Sequence, residues 1–303
     1  MRNILSSSLE DTYNNKTKKK NLKNLNFLKK YIYPKSKIYL DLLTGVVRTE
    51  LEYSEKQILD YWSNKIFPSK NLDDYNSNLP FAVARLTYVA ENIKNFIKKK
   101  NIKNVNLCDF ACGEGTLLGI LKKDFFYNIC GVEGSPNLTA IIKKKYDVQC
   151  HNAGLGFGDI KKINFKKKIN FAILSWVLCN CINPLKVLQE IGDVLDDNAY
   201  LCVCESSRIL VPFKKNLKDY FAKRHPEDIH PWHFSATSLE SLLNLAGFEV
   251  QFRNKYEDSN ELLLISKKTK KKFKTLKRDN PKKVLRFFKK WHEISSHSKA
   301  LFN

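Results

Sequence analysis

Between residues 100 and 270 the chain alternates short apolar runs with stretches whose apolar residues recur every three or four positions. The runs near 105–110, 128–133, 147–151, 170–175 and 199–205 are the right length for buried strands. Helix signals fall between them. Ser135-Pro136 is an N-cap followed by a first-turn proline, and Asn183-Pro184 repeats that signal. Thr237 with Glu240 predicts the cap of a late helix, which Gly247 ends. Two final runs, 248–256 and 261–268, are separated by a short polar loop and should pair antiparallel. Strands that alternate with helices and finish in a hairpin predict an α/β fold. Its sheet is doubly wound, mostly parallel and seven-stranded, with an antiparallel terminal hairpin.

The flanks follow other patterns. Residues 1–36 are polar and rich in Lys and Asn, with one amphipathic patch at Leu22–Ile32, and predict partial disorder or a loose helix. KIYLDLLTGVVRTELEY, 37–53, reads as two strands joined at Thr44-Gly45. Ser54 with Gln57 forms a capping box for a helix through about Phe67. A loop at Asp73–Leu79 precedes a helix from Pro80 to about Lys100, with Val83, Leu86, Val89, Ile93 and Phe96 on one face. Region 37–100 has too little core for a separate domain and is expected to lie as a lid over the core, 101–268. The tail, 269–303, is a Lys run followed by VLRFFKKWHEI, in which Val284, Leu285, Phe288 and Trp291 share a helical face. A C-terminal helix docked on the core is the expectation; a membrane-surface helix is the alternative.

Composition narrows the function classes. No apolar run reaches the roughly 18 residues needed to span a bilayer, and the N-terminus lacks a signal-peptide apolar core, so a cytoplasmic protein is expected. The net charge is +22. Lys far outnumbers Arg, however, and Arg is the residue suited to bidentate phosphate contacts. Solvated lysine faces are therefore favoured over a nucleic-acid surface. All eight cysteines lie between Cys108 and Cys204. Cys179/Cys181 and Cys202/Cys204 form C-x-C pairs and no C-x-x-C pair is present, so reduced buried thiols are expected and no metal site.

The candidate chemistry begins in VNLCDFACGEGT, 105–116. Asp109 stands near the end of a strand, and Ala111, Gly113 and Gly115 follow at alternate positions before a helix. Such a turn lets a ligand approach the backbone closely. The third glycine of a dinucleotide fingerprint would fall at Leu118, with Gly119 one residue late, and the preceding acid suits a positively charged ligand better than a pyrophosphate. In NICGVEGSPNLT, Glu133 ends the next strand, where a carboxylate can accept two bonds from a ribose diol.

On these residues the chain resembles a class I S-adenosylmethionine-dependent methyltransferase, with a Rossmann-like core. Asp109, Ala111, Gly113 and Gly115 resemble the family's first motif, with Ala in place of its first glycine, and Glu133 resembles the acid after the second strand. Residues 170–195 and 199–206 resemble the fourth strand with its helix and the fifth strand. HFSATSLESLLNLAGFEV, 233–250, is similar to the late helix and sixth strand of small-molecule methyltransferases. The resemblance implies S-adenosyl-L-methionine as cofactor. Asp109 and the 111–115 turn would hold its amino-acid part, Glu133 its ribose, and Asn152 (with Asp159 as fallback) its adenine amine. Ser175 and Trp176 would border the methyl group.

The acceptor is expected to be a small molecule, most naturally a sugar or sugar nucleotide in polysaccharide biosynthesis. Related sugar C-methyltransferases have a Glu-His pair in the segment that here reads AKRHPEDIHPWHFS, where Trp232 precedes His233. They can also carry a Cys-rich zinc module before the core; with no cysteine before Cys108, any such module here would have lost its metal. His233 and His230 are the candidates for catalysis, with His225 nearby and His151 read as structural. Glu205 and Arg208 are the candidates for binding a polar acceptor. An RNA or protein methyltransferase is the alternative, although Ser175-Trp176-Val177-Leu178 stands where base-modifying families carry an Asn/Asp-Pro-Pro-aromatic motif. A Rossmann-like binding protein without activity is the non-enzyme alternative.

Overall fold

The computed structural model describes residues 4–34, 36–65, 80–124, 128–212, 216–221, 230–271, 273 and 275–297. The expected loop at Asp73–Leu79, the end of the helix expected near Phe67, and His225 lie outside them.

The apolar runs form the predicted sheet. Its parallel strands are β4 (Asn106–Phe110), β5 (Asn128–Glu133), β6 (Gln149–Asn152), β7 (Ile169–Ser175) and β8 (Leu195–Glu205), closed by β10 (Phe248–Arg253) and β11 (Leu262–Lys268). The order is β10-β11-β8-β7-β4-β5-β6, with both contacts of β11 antiparallel. Alternate residues feed two cores. Phe171, Ile173, Cys202 and Cys204 pack with α3 (Pro80–Lys99) and α4 (Thr116–Asp124). Ala172, Leu174, Leu201 and Val203 pack with α6 (Pro184–Val194) and α8 (Ala236–Leu245). Cys202 and Cys204 thus act as small apolar side chains on one face. Burial raises both thiols far above the usual range.

Local signals set most of the ends. Ser135 accepts from the Leu138 N–H at the start of α5 (Pro136–Tyr146), and Asn183 accepts from Lys186 at the start of α6. The late helix differs from expectation: its cap is Ser235, in a capping box with Ser238. Ser235 Oγ also donates to Asp279 at 2.6 Å, a tertiary contact that the pattern Thr237–Glu240 does not reveal.

A second, antiparallel sheet joins distant parts of the chain. The hairpin of β2 (Lys37–Asp41) and β3 (Val47–Glu50) is flanked by β1 (Leu22–Asn24) and by β9 (Trp232–His233). Leu22–Ile32 is therefore not a continuous helix. Helix α1 (Ile4–Tyr13) sits against α8, where Tyr13 is fully buried and donates to Ser238 O at 2.9 Å. A third core forms where Val284, Phe288 and Trp291 of α9 (Pro281–His297) meet Leu28, Ile38, Leu40 and Val47. With that face covered, the exposed side of α9 carries Lys282, Lys283, Arg286, Lys289 and Lys290. Among the described residues no helix is long and apolar enough to cross a membrane.

Candidate active site

The strand C-termini open onto a cavity of about 240 Å³. Its floor is Ala111, Gly113, Glu133, Gly134 and Ser175, and the loop Ala153–Phe157 forms one wall. The turn after β4 has the shape that its small residues allow. Ala111, Gly113 and Gly115 all have positive φ (54°, 57° and 74°). A Cβ on Gly113 would meet nothing within 4 Å, so its missing side chain is open ligand space. A Cβ on Gly115 would lie 2.7 Å from Ile142 Cγ1, so that glycine serves the packing of α4 on α5.

Two acids stand beneath this turn. Glu133 is buried and accepts from the Gly113 N–H through one oxygen and from the Ser135 N–H through the other, both at 2.9 Å. It thereby ties the turn to the tip of β5 and keeps lone pairs for a ligand. Burial pushes its carboxyl up, opposed by those amide bonds. Asp109 is 3% exposed and lines an adjoining cavity with Arg85, Phe81, Glu114 and Trp176. Burial holds its carboxyl well above the usual range, and Glu133 adds to the effect. A paired buried acid of this kind is stabilised by an incoming cation.

Trp176 divides the two cavities. Its backbone is left-handed (φ 55°), its indole N–H donates to Asn260 O at 2.9 Å, and the Arg85 guanidinium lies 4.3 Å from the ring centroid. Arg85 is fixed by Glu261 at 2.8 Å. Ser175 Oγ is buried and has no hydrogen-bond partner among the described residues, although both cavities touch it.

The remaining sequence candidates lie beside this cavity or behind its walls. Asn152 is exposed and donates to Glu133 O and Gly134 O at 2.9 and 3.0 Å, bracing the β5 turn. With Asp159 it lines a neighbouring depression of about 390 Å³ that shares Leu59, Ser63, Gly134, Ala153 and Gly154 with the main cavity. His233 is buried in β9. Its Nε2 meets Thr49 Oγ1 at 2.9 Å and its Nδ1 meets the Tyr220 hydroxyl at 3.0 Å. It lines a separate small cavity with His230, Arg208 and Tyr33. His230 Nδ1 bonds Asn180 Oδ1, and Asn180 lines the main cavity, so His230 stands one residue behind its wall. Glu205 is fully buried and accepts from the Leu178 N–H at 2.6 Å; burial pushes its carboxyl up to about 7. It holds the turn after β7 from below and does not line the main cavity.

Sequence reading missed three groups in the walls. One is the loop Ala153–Phe157, whose small residues carry no chemical signature. It is held by buried Glu190, which accepts from Gly156 and Gly158 N–H at 3.0 Å each. The second is Asn180 with Val177 and Ile182, beyond β7. The third is Ile58, Leu59, Trp62 and Ser63, from α2 (Glu55–Asp60) and the π-helical turn Tyr61–Lys65 after it. The capping box at Ser54 marks where α2 starts, but not what it covers.

Residues 75–251 match the family described as methyltransferase domain. No curated protein matches the chain. Among solved structures, a magnesium protoporphyrin IX methyltransferase from Synechocystis PCC 6803, with S-adenosylmethionine bound, is 13% identical with a TM-score of 0.50. The match covers 73% of this chain and all of that one. A 1,6-didemethyltoxoflavin N1-methyltransferase from Burkholderia thailandensis, bound to its substrate and S-adenosylhomocysteine, is 12% identical with a TM-score of 0.52. Here the match covers 79% of this chain and 98% of the other. At such identity the likeness establishes shared architecture, and the family match spans more than half of the sequence. The chain belongs to the methyltransferase-domain family and has the class I S-adenosylmethionine-dependent fold.

Proposed function

We propose that this enzyme transfers a methyl group from S-adenosylmethionine to a small-molecule acceptor, with a sugar or sugar nucleotide as the finer assignment. The observation that carries the cofactor reading is the junction of the two cavities: an open Gly113 and a buried Ser175 hydroxyl with no partner among the described residues touch both, with buried Glu133 lining one and buried Asp109 the other. A cationic sulfonium nucleoside fits that donor set. It needs a carboxylate for its ammonium, a second for its diol and close backbone approach between them. When bound, it supplies a methyl group on a leaving sulfur that is already positively charged.

In this reading Asp109 holds the α-ammonium and Glu133 accepts from the ribose hydroxyls. Ala111 and Gly113 allow backbone contact, and Gly115 holds the helix behind them. Ser175 and Trp176 border the reacting centre. The protein's main contribution is orientation, which can supply on the order of 7–11 kcal/mol. His230 would act on the acceptor through Asn180, and Arg208 would serve a polar or anionic part of it. Proton removal by His233 would require its bonds to Thr49 and Tyr220 to open. Asn152 supports the site by bracing the β5 turn. The sugar assignment rests on the resemblance of residues 233–250.

Calorimetric titration with S-adenosylmethionine and S-adenosylhomocysteine, with NAD as control, tests the cofactor. Micromolar binding of the first two alone is expected; binding of NAD instead would overturn the reading. Transfer of labelled methyl into sugar nucleotides, and not into RNA or protein, is the expected result for the acceptor.

A further inference from the structure

The turn after α2 lies outside the residues that match the family, yet it covers the cavity. Leu59 and Ser63 sit directly on the part of the cavity assigned above to the nucleoside. A Cβ on Gly154 would be 3.1 Å from Leu59 Cδ1, and one on Gly134 would be 3.1 Å from Ser63 Oγ. Gly134 follows the acid assigned to the ribose, and Gly154 belongs to the loop beside it. The turn itself is π-helical, Tyr61–Lys65, a geometry that widens a helix by one residue and recurs at functional sites. Trp62, within this turn, lines the cavity wall. Trp62 packs edge-on against Tyr61, with ring centroids 5.5 Å apart, yet its buried Nε1–H has no hydrogen-bond partner among the described residues. Buried indole donors are ordinarily paired. Trp62 Nε1 and Ser175 Oγ are both buried, both unpartnered, and both in side chains that line the same cavity.

We propose that this turn is the roof of the nucleoside half of the site, and that the Trp62 indole N–H donates a hydrogen bond to the bound nucleoside. The inference rests on the S-adenosyl site proposed above and goes beyond it. It gives the chain's own N-terminal region a direct ligand contact, at a residue that the local motifs do not mark. The acceptor would be a ring nitrogen or hydroxyl oxygen of the nucleoside, the strong hydrogen-bond acceptors on that part of the ligand.

The test is Trp62→Phe, which keeps the ring and removes the donor. Calorimetry would compare S-adenosylhomocysteine with 5′-methylthioadenosine, the same nucleoside thioether without the amino acid. Both are expected to bind on the order of 10-fold more weakly to the variant, the loss of one buried donor. Its thermal midpoint should be unchanged. Unchanged Kd values for both ligands would overturn the proposal, as would a loss confined to the acceptor's KM. Wild-type protein that binds neither ligand would sink the cofactor reading as well; wild-type binding with an unaffected variant would sink only the roof. Should the variant not fold, indole ¹⁵N–¹H spectra of the wild type decide the matter. The indole signal that lacks a hydrogen bond should move downfield on adding 5′-methylthioadenosine, and a signal that stays in place counts against the contact.

Discussion

At the scale of single residues, Asp109 sets the terms of binding. Its carboxyl is raised because burial disfavours the charge and Glu133 stands beside it. The ionised form is the one that attracts an ammonium group. Affinity for S-adenosylmethionine should therefore fall as pH drops through the raised value, with a midpoint above the ordinary aspartate value of about 3.9. Stability runs the other way. A raised acid stabilises the fold fully below its ordinary value, and that contribution is lost as pH rises through the raised one. Asp109→Asn, which stays neutral, should weaken binding at neutral pH by at least about 10-fold while leaving the thermal midpoint equal or higher. Calorimetry across pH, paired with thermal unfolding, checks both halves. A variant that loses stability but keeps its affinity would contradict the assignment. This residue was legible in the sequence because its signal is local: strand, acid, turn and helix lie within twelve positions. Trp62 was not, because a π-helical turn and a missing partner are properties of three-dimensional packing.

At the scale of elements, the core strands and helices were readable for the same reason, with apolar period and caps acting over short range. The hairpin 37–53 was readable too. Its partner β9 was not: two residues, Trp232-His233, carry no strand period, and their pairing with β3 spans more than 180 positions. Nor did the pattern of α9 tell what lies under it. The structure seats Trp291 against Tyr220, ring centroids 4.6 Å apart, and Tyr220 in turn bonds His233. Trp291→Ala should cost about 3–5 kcal/mol, the usual range for removing a large buried aromatic side chain. Denaturant unfolding measures that cost. A loss below about 1 kcal/mol would mean that α9 is dispensable packing.

At the scale of the whole molecule, the charge of +22 is carried mostly by exposed lysines, and the ion pairs they form, such as Lys161–Asp193 and Lys271–Glu249, are solvent-facing. Pairs of that kind contribute little to stability, typically up to about 1 kcal/mol each. Lysine faces without the planar fork of arginine are expected to give only weak, non-saturating RNA binding at about 0.15 M salt. A filter-binding titration would show it, and tight saturable binding that collapses with added salt would instead favour an RNA acceptor. The open side of the seven-stranded sheet was foreseeable from strand order alone, since ligands in such sheets gather at the strand C-termini. Region 37–100 was expected there as a lid, but which of its residues reach the cavity (Ile58, Leu59, Trp62 and Ser63) was not foreseeable, because that depends on three-dimensional packing.

The small sheet has a consequence for how the molecule comes into being. Synthesis runs from the N-terminus, so β2 and β3 emerge long before β9 and longer still before α9, which covers Ile38, Leu40 and Val47. Until those segments emerge the hairpin exposes most of an apolar face and its β3 edge, the state in which unfinished chains aggregate or recruit chaperones. The hairpin is ready early, yet its burial waits for residues 281–297. Chains arrested before residue 281 should be cut by protease within 37–50, while finished chains are protected there.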